Sequence, residues 1–169
     1  KPYFAVYSSF LQRAYDQVLS DVCIDNRGVT LLIDHAGVVG GDGVTHQGIY
    51  DISYLCAMPN MTIMQPKDGI ELKNMMQFSL SYDHPLAIRY PKSYKTEFSE
   101  HKPIDDLSWE WIRKTNSNVY VLAVGNKMLE IALKNDNVNI ISARVIKPLD
   151  EKLLAQIKNG VVITMEEGV

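Results

Sequence analysis

The 169-residue sequence predicts an α/β fold built from two parallel-sheet units in tandem. Three observations predict it. Short, branched apolar runs alternate with stretches of helical periodicity, the pattern of strand–helix–strand crossovers. Those runs are continuously hydrophobic, as strands covered on both faces are. The alternation also breaks once, over 93–117, where Lys, Glu, Ser, Asp and Pro dominate, and then resumes. The expected organisation is a first unit over 1–92, an interdomain connection over 93–117, and a second unit over 118–169. Lys1-Pro2 runs straight into a strand and the chain stops soon after its last one, so we expect a piece of a longer polypeptide.

The elements follow in order. Tyr3–Tyr7 reads as a strand, and Ser8 or Ser9 as the N-cap of a helix over 10–24 with Leu11, Ala14, Val18 and Val22 on its apolar face. Gly28 is the expected left-handed stop. Val29–Ile33 is a buried strand, followed by a loop with Gly37, Gly40, Gly41, Gly43 and Gly48. A helix over 49–57 ends at Met58-Pro59. Met61–Met64 is a strand, Asp68 caps a helix to about residue 82, and Leu86–Tyr90 is a fourth strand closed by Pro91. In the polar stretch, Trp109–Ile112 is a candidate strand opening the second unit. Beyond it come a strand over 119–124, a turn at Gly125, a helix over 127–134, a strand over 138–141, a helix capped by Asp150, and a last strand over 161–165.

Composition excludes little but does exclude something. A hydrophobic content of 46%, a charged content of 22% and a net charge of −3 are those of an ordinary globular protein. The charge offers no electrostatic argument for nucleic acid or for an anionic membrane surface. No apolar run approaches the ~20 residues that cross a bilayer. Cys23 and Cys56 lack metal-type spacing and read as buried free thiols of a reducing compartment.

Chemistry-bearing residues collect where strands end. Asp42 and His46 lie in the glycine loop and His35 at its mouth, the position at which open α/β sheets bind ligands. An ordinary solvated connection has the same local composition. Tyr7–Arg13 spans the first strand–helix junction. There Arg13 could contact an anion, and Phe10 offers either a flat face to an aromatic ring or a core side chain. Arg89, directly after an apolar strand, implies an anionic ligand or a carboxylate partner. In a parallel sheet these groups reach one rim, which suits a small, polar, phosphorylated ligand. His84 and His101 receive no role, and Glu166-Glu167 reads as a solvated turn.

The segments Tyr7-Ser8-Ser9-Phe10-Leu11-Gln12-Arg13-Ala14-Tyr15-Asp16-Gln17, Asp42-Gly43-Val44-Thr45-His46-Gln47-Gly48 and Arg89-Tyr90-Pro91 closely resemble the 1-deoxy-D-xylulose 5-phosphate synthase family. These are thiamine diphosphate enzymes of the transketolase superfamily. Val145-Ile146-Lys147-Pro148-Leu149-Asp150 and Thr164-Met165-Glu166-Glu167 resemble the start of that family's third domain. The resemblance implies that 1–92 is an incomplete pyrimidine-binding domain and 118–169 the start of a transketolase C-terminal-type domain. It implies a transferase that decarboxylates pyruvate and joins the two-carbon unit to D-glyceraldehyde 3-phosphate, in isoprenoid precursor and thiamine/pyridoxal biosynthesis. Thiamine diphosphate and Mg2+ are the implied cofactors, bound mostly outside this chain. A homodimer in a bacterial cytoplasm or a plastid is implied as well.

The same resemblance gives residues roles. Phe10 would stack on the aminopyrimidine, with Tyr7 beside it. Arg13 and Arg89 would hold the acceptor phosphate. Asp42, His35 and His46 would contact substrate, with His46 a candidate for proton transfer. Two positions depart from the pattern: His35 and Lys92 stand where arginines are usual. The glutamate that activates the cofactor and the Gly-Asp-Gly metal motif have no counterpart here, so the chain alone is expected to be inactive. Its exposed sheet edges are expected to promote self-pairing or aggregation. Transketolase, a 2-oxo-acid dehydrogenase β-subunit and a non-catalytic phosphometabolite-binding module are the alternatives.

Overall fold

The computed structural model describes residues 1–98 and 101–169. Among these residues nine strands form two sheets, accompanied by five helical runs longer than three residues. Strand β1 (Tyr3–Tyr7) feeds directly into helical run α1 over 8–24. β2 (Thr30–Asp34), helix α2 (Asp51–Ala57), β3 (Thr62–Met64), helix α3 (Gly69–Ser79) and β4 (Leu86–Arg89) complete the first unit. The second contributes β5 (Glu110–Arg113), β6 (Val119–Ala123), helix α4 (Gly125–Ala132), β7 (Asn139–Ser142), β8 (Val145–Lys147), helix α5 (Glu151–Ile157) and β9 (Val161–Met165).

The expected α/β architecture with parallel sheets is what forms. The first sheet runs β1-β2-β4-β3-β8, and the second β5-β7-β6-β9. The strands β1, β2, β4 and β3 are mutually parallel, as are β7, β6 and β9. The central strands are continuously apolar because helices cover both faces. Thus Leu31, Ile33, Ile63, Met64 and Leu86–Ile88 are all buried.

α1 starts two residues earlier than expected, at Ser8, and no side chain caps it. It tightens to a 3-10 turn over Gln12–Ala14 and widens to a π-helix over Val18–Ile24. The wider turn places Val18 and Cys23, five apart, on the buried face, where regular spacing pointed to Val22. Its left-handed stop is Asn26 (φ 50°), not Gly28. Asp68 caps α3 as expected, accepting from the Glu71 amide at 2.9 Å. Asp150 caps α5 in the same way through Leu153. Both cysteines are free, with Cys23 buried and Cys56 exposed. Burial pushes the Cys23 thiol up to about 11.

Two features add to the expected plan. Within 93–117 the expected strand near Trp109–Ile112 forms as β5, and Ile104 and Trp109 of the same stretch sit in the core. Residues 99 and 100 of that stretch lie outside the described residues. Its polar composition conceals two anchors, of which Trp109 also donates from its indole Nε1 to the Val145 carbonyl at 2.6 Å. Second, the chain leaves β7 and crosses to the first sheet, where β8 pairs antiparallel with β3. One core therefore joins both sheets, with Met64, Leu86 and Ile88 packing beside Leu122, Ile141, Val145 and Leu153. A buried ionic seam runs alongside, pairing Lys67 with Glu110 and Glu71 with Arg144.

Candidate functional site

The registry of the first sheet builds the rim. Tyr7 lies opposite Asp34, and Ile33 opposite Arg89, so β1, β2 and β4 end level with one another. Their continuations, α1, the glycine loop and Tyr90-Pro91-Lys92, leave from the same edge.

An aromatic row crosses this edge. His35 stacks on Tyr7 with ring centroids 3.9 Å apart, and Tyr7 lies nearly parallel to Phe10 at 5.5 Å. His46 meets the Phe10 ring edge-on at 5.2 Å, and the Arg13 guanidinium sits 5.8 Å from its centre. Phe10 is 41% exposed, so this helix-start phenylalanine presents a face to solvent instead of entering the core. His35 adopts φ +56°, uncommon for a side chain of its size. Its backbone amide donates to Asp34 Oδ1 at 2.6 Å, and its Nε2 lies 3.5 Å from Asp42 Oδ2.

The loop is held by its own side chains. Gln47 accepts from the Val39 amide and donates to the carbonyls of Val39 and Gly43, all at 2.7–2.8 Å. Gly37 and Gly48 exchange backbone hydrogen bonds at 2.7 and 2.9 Å, closing the neck. Gly48 has no substitute here, since a Cβ would lie 2.2 Å from the His35 carbonyl oxygen. On the loop, Asp42 receives Lys92 at 2.8 Å. That hydrogen bond, more than any other influence, holds the Asp42 carboxyl below its ordinary value and raises the Lys92 ammonium. Thr45 and the His46 Nδ1 lie 2.9 Å apart in a short 3-10 turn.

Arg89 is the correction. Its side chain is fully buried and turned inward, donating to both oxygens of Asp51 at 3.0–3.1 Å, to Gln65 and to the Gly48 carbonyl. An acceptor phosphate cannot reach a guanidinium so enclosed. The sequence allowed either an anionic ligand or a carboxylate partner, and Asp51 is the partner. Lys92, like Arg13, does reach the rim. The structure thus brings together Tyr7, Phe10, Arg13, His35, Asp42 and His46, and it withdraws Arg89.

Sequence reasoning missed Gln47, Asp51, Lys127 and Glu167. Lys127 and Glu167 pair at 2.6 Å beside a cavity of about 310 Å3, which Lys92, Gly40 and Gly41 also line. Asp51 stands out in the sequence only as an acidic residue in the first turn of a helix, which says nothing of a partner.

Phe10 presents a flat, partly exposed apolar ring with His46 at its edge, the kind of surface on which an aromatic ring stacks. The described residues include no group of three or more His, Cys, Asp or Glu placed to hold a metal ion.

Comparison with known proteins shows the family and the fold. The profile of the family described as transketolase, pyrimidine binding domain, matches residues 1–96. The chain is 46% identical over 179 aligned residues to the 1-deoxy-D-xylulose-5-phosphate synthase of Caldanaerobacter subterraneus subsp. tengcongensis. That alignment covers 100% of this chain and 29% of that protein. The synthase of Thermus thermophilus is 41% identical over 172 residues, covering 99% of this chain and 28% of that protein. The chain therefore spans under a third of the length of these relatives. Among solved structures, a split-gene transketolase in an inactive β4 tetramer superposes with a TM-score of 0.82 at 22% identity, over 99% of this chain and 57% of that one. The transketolase of Campylobacter jejuni superposes with a TM-score of 0.71 at 21% identity, over 99% and 28% of the two chains. Both structures establish the fold. With more than half its length matched by the profile and synthases among its sequence relatives, the chain belongs to the transketolase pyrimidine-binding domain family.

Proposed function

We propose that this chain is the pyrimidine-binding part of a thiamine diphosphate- and Mg2+-dependent enzyme that condenses pyruvate, with loss of carbon dioxide, and D-glyceraldehyde 3-phosphate to 1-deoxy-D-xylulose 5-phosphate. The observation that carries the reading is the Phe10–Tyr7–His35 row, in which Phe10 and Tyr7 are exposed and His35 is buried against Tyr7, flanked by Arg13, His46 and the Asp42–Lys92 pair. When bound, thiamine diphosphate would supply the electron sink for decarboxylation. This chain's residues then bind and orient. Phe10 packs on the aminopyrimidine. Arg13 and Lys92 attract the acceptor phosphate from two sides, Arg13 with a planar fork and Lys92 as a point charge. Asp42, kept ionised by Lys92, accepts from an acceptor hydroxyl. His46, edge-on to Phe10, offers an imidazole for proton transfer.

The chain alone is proposed to be inactive, because the groups for the diphosphate and its metal would come from elsewhere in the parent polypeptide. The test uses that parent, with thiamine diphosphate, Mg2+ and pyruvate, following carbon dioxide release with and without D-glyceraldehyde 3-phosphate. Acceptor-dependent release with a phosphorylated five-carbon ketose as product is the expected result. No release under either condition, or release unchanged by the acceptor, overturns the reading.

A further inference from the structure

We propose that Glu167 is a positioning residue through which the second unit fixes the glycine loop of the candidate site. The inference deepens the proposed function and rests on it for the loop's role in holding substrate. Glu167 follows β9, at the carboxyl edge of the second sheet, where its Oε1 meets Lys127 Nζ in the first turn of α4. Its side chain is only 14% exposed. It lies flat against Gly37: a Cβ built there would stand 2.9 Å from Glu167 Oε2 and 3.2 Å from its Cβ. Gly37 also sits at φ +84°. Such an approach is open only to a residue without a side chain.

Gly37 is half of the loop's neck. It exchanges hydrogen bonds with Gly48, and the Gly48 carbonyl also accepts from buried Arg89 at 3.0 Å. The neck is thus held from within the first unit by Arg89 and from the second by Glu167. The residues that follow extend the same contact. Gly168 lies against the Ile52 side chain, and the Val169 amide donates to the Ile49 carbonyl at 3.0 Å. Between the two ends of this neck the chain carries Asp42 and His46. Because the Lys127 side chain is 54% exposed, the ion pair contributes little to overall stability, and its effect falls on local geometry.

The experiment measures amide exchange at Gly37 and Gly48 in the full 169-residue chain, with the Tyr90 amide, bonded to Ile33, as internal reference. Glu167→Ala should speed exchange at both glycines about tenfold while leaving Tyr90 unchanged. Glu167→Gln keeps the volume over Gly37 and should restore protection to within about threefold. The His35 ring-proton shifts, set by Tyr7 at 3.9 Å, should move in Glu167→Ala and not in Glu167→Gln. If Glu167→Ala fails to fold, Lys127→Met serves, and faster exchange confined to the glycines is again expected. Unchanged glycine protection, or acceleration of every amide alike, overturns the positioning role. These readouts need no turnover. An inactive parent enzyme would sink the functional reading while leaving this result to stand or fall by itself.

Discussion

At the residue scale, the site turns on which cation faces solvent. Arg89 is enclosed by Asp51, Gln65 and Gly48, whereas Lys92 stands on the rim against Asp42. Replacing Arg89 with Met should therefore act on stability first. It leaves the Asp51 carboxylate buried without its partner, a loss of roughly 3–5 kcal/mol that a urea unfolding curve would register. Lys92→Met should leave the fold intact and raise the Asp42 pKa toward its ordinary 3.8, readable by carbon-detected NMR titration of the carboxyl. The sign follows from linkage. Asp42 has its folded pKa depressed, so its contribution to stability is present above the unfolded value and fades as pH falls through the folded one. In the parent enzyme, Lys92→Met and Arg13→Ala should each raise the Michaelis constant for the acceptor; an unchanged constant in both would remove the phosphate role. Tyr7, Phe10, Arg13, His35, Asp42 and His46 were legible as a group because each follows a strand in a parallel alternation. Arg89 was legible only as a residue needing an anion. Whether that anion was ligand or protein depended on Asp51, which lies 38 positions away and has no sequence signature of pairing.

At the element scale, helix caps were the clearest signals and helix interiors the least clear. Asp68 and Asp150 each precede a run with regular apolar spacing, and each caps as expected. The π-helical stretch within α1 was hidden, because a turn widened by one residue leaves composition unchanged and only moves Cys23 to where Val22 was expected. Asp68 does more than cap. Its second oxygen accepts from the Phe98 amide and pairs with His101 at 2.7 Å, pinning a loop that looked like plain polar connection. Burial is the largest influence on Asp68 and pushes its pKa up, but hydrogen bonds from the Glu71 amide, His101 and the Phe98 amide outweigh it, so the net shift is downward. The stability it adds is accordingly complete above the unfolded carboxylate value and is lost as pH falls through the lowered one. Asp68→Ala should cost about 1 kcal/mol for the cap alone. Asp68→Asn preserves the cap and should flatten the acid limb of a plot of unfolding midpoint against pH. An acid limb of undiminished slope in that variant would assign the pH dependence elsewhere.

At the scale of the whole molecule, the alternation of strands and helices revealed both sheets, and the break over 93–117 marked where one gives way to the other. What stayed hidden was how they are joined. Val145–Lys147 is too short and too mixed to announce itself as a strand, and its partner β3 is remote in sequence. Glu71, in the buried seam, is pushed up chiefly by desolvation, with the Lys67 amide and the Lys67 and Arg144 cations offsetting part of that cost. Two of the four outer strands are exposed and apolar: Tyr3 and Phe4 on β1, and Val161, Val162 and Ile163 on β9, are all at least 39% exposed. Unpaired edges of this kind template association. Val162→Lys should reduce concentration-dependent self-association of the chain in sedimentation velocity, and identical profiles for both proteins would clear β9 of that role. The excursion of β8 has a different consequence, for the time order of synthesis. Ile63 must wait for Lys147 before the first sheet acquires its last strand. While residues 1–92 have left the ribosome and Val145–Lys147 has not, the α/β layer has an open flank. Such a nascent chain depends on the remainder of its own translation, rather than on local contacts, to close.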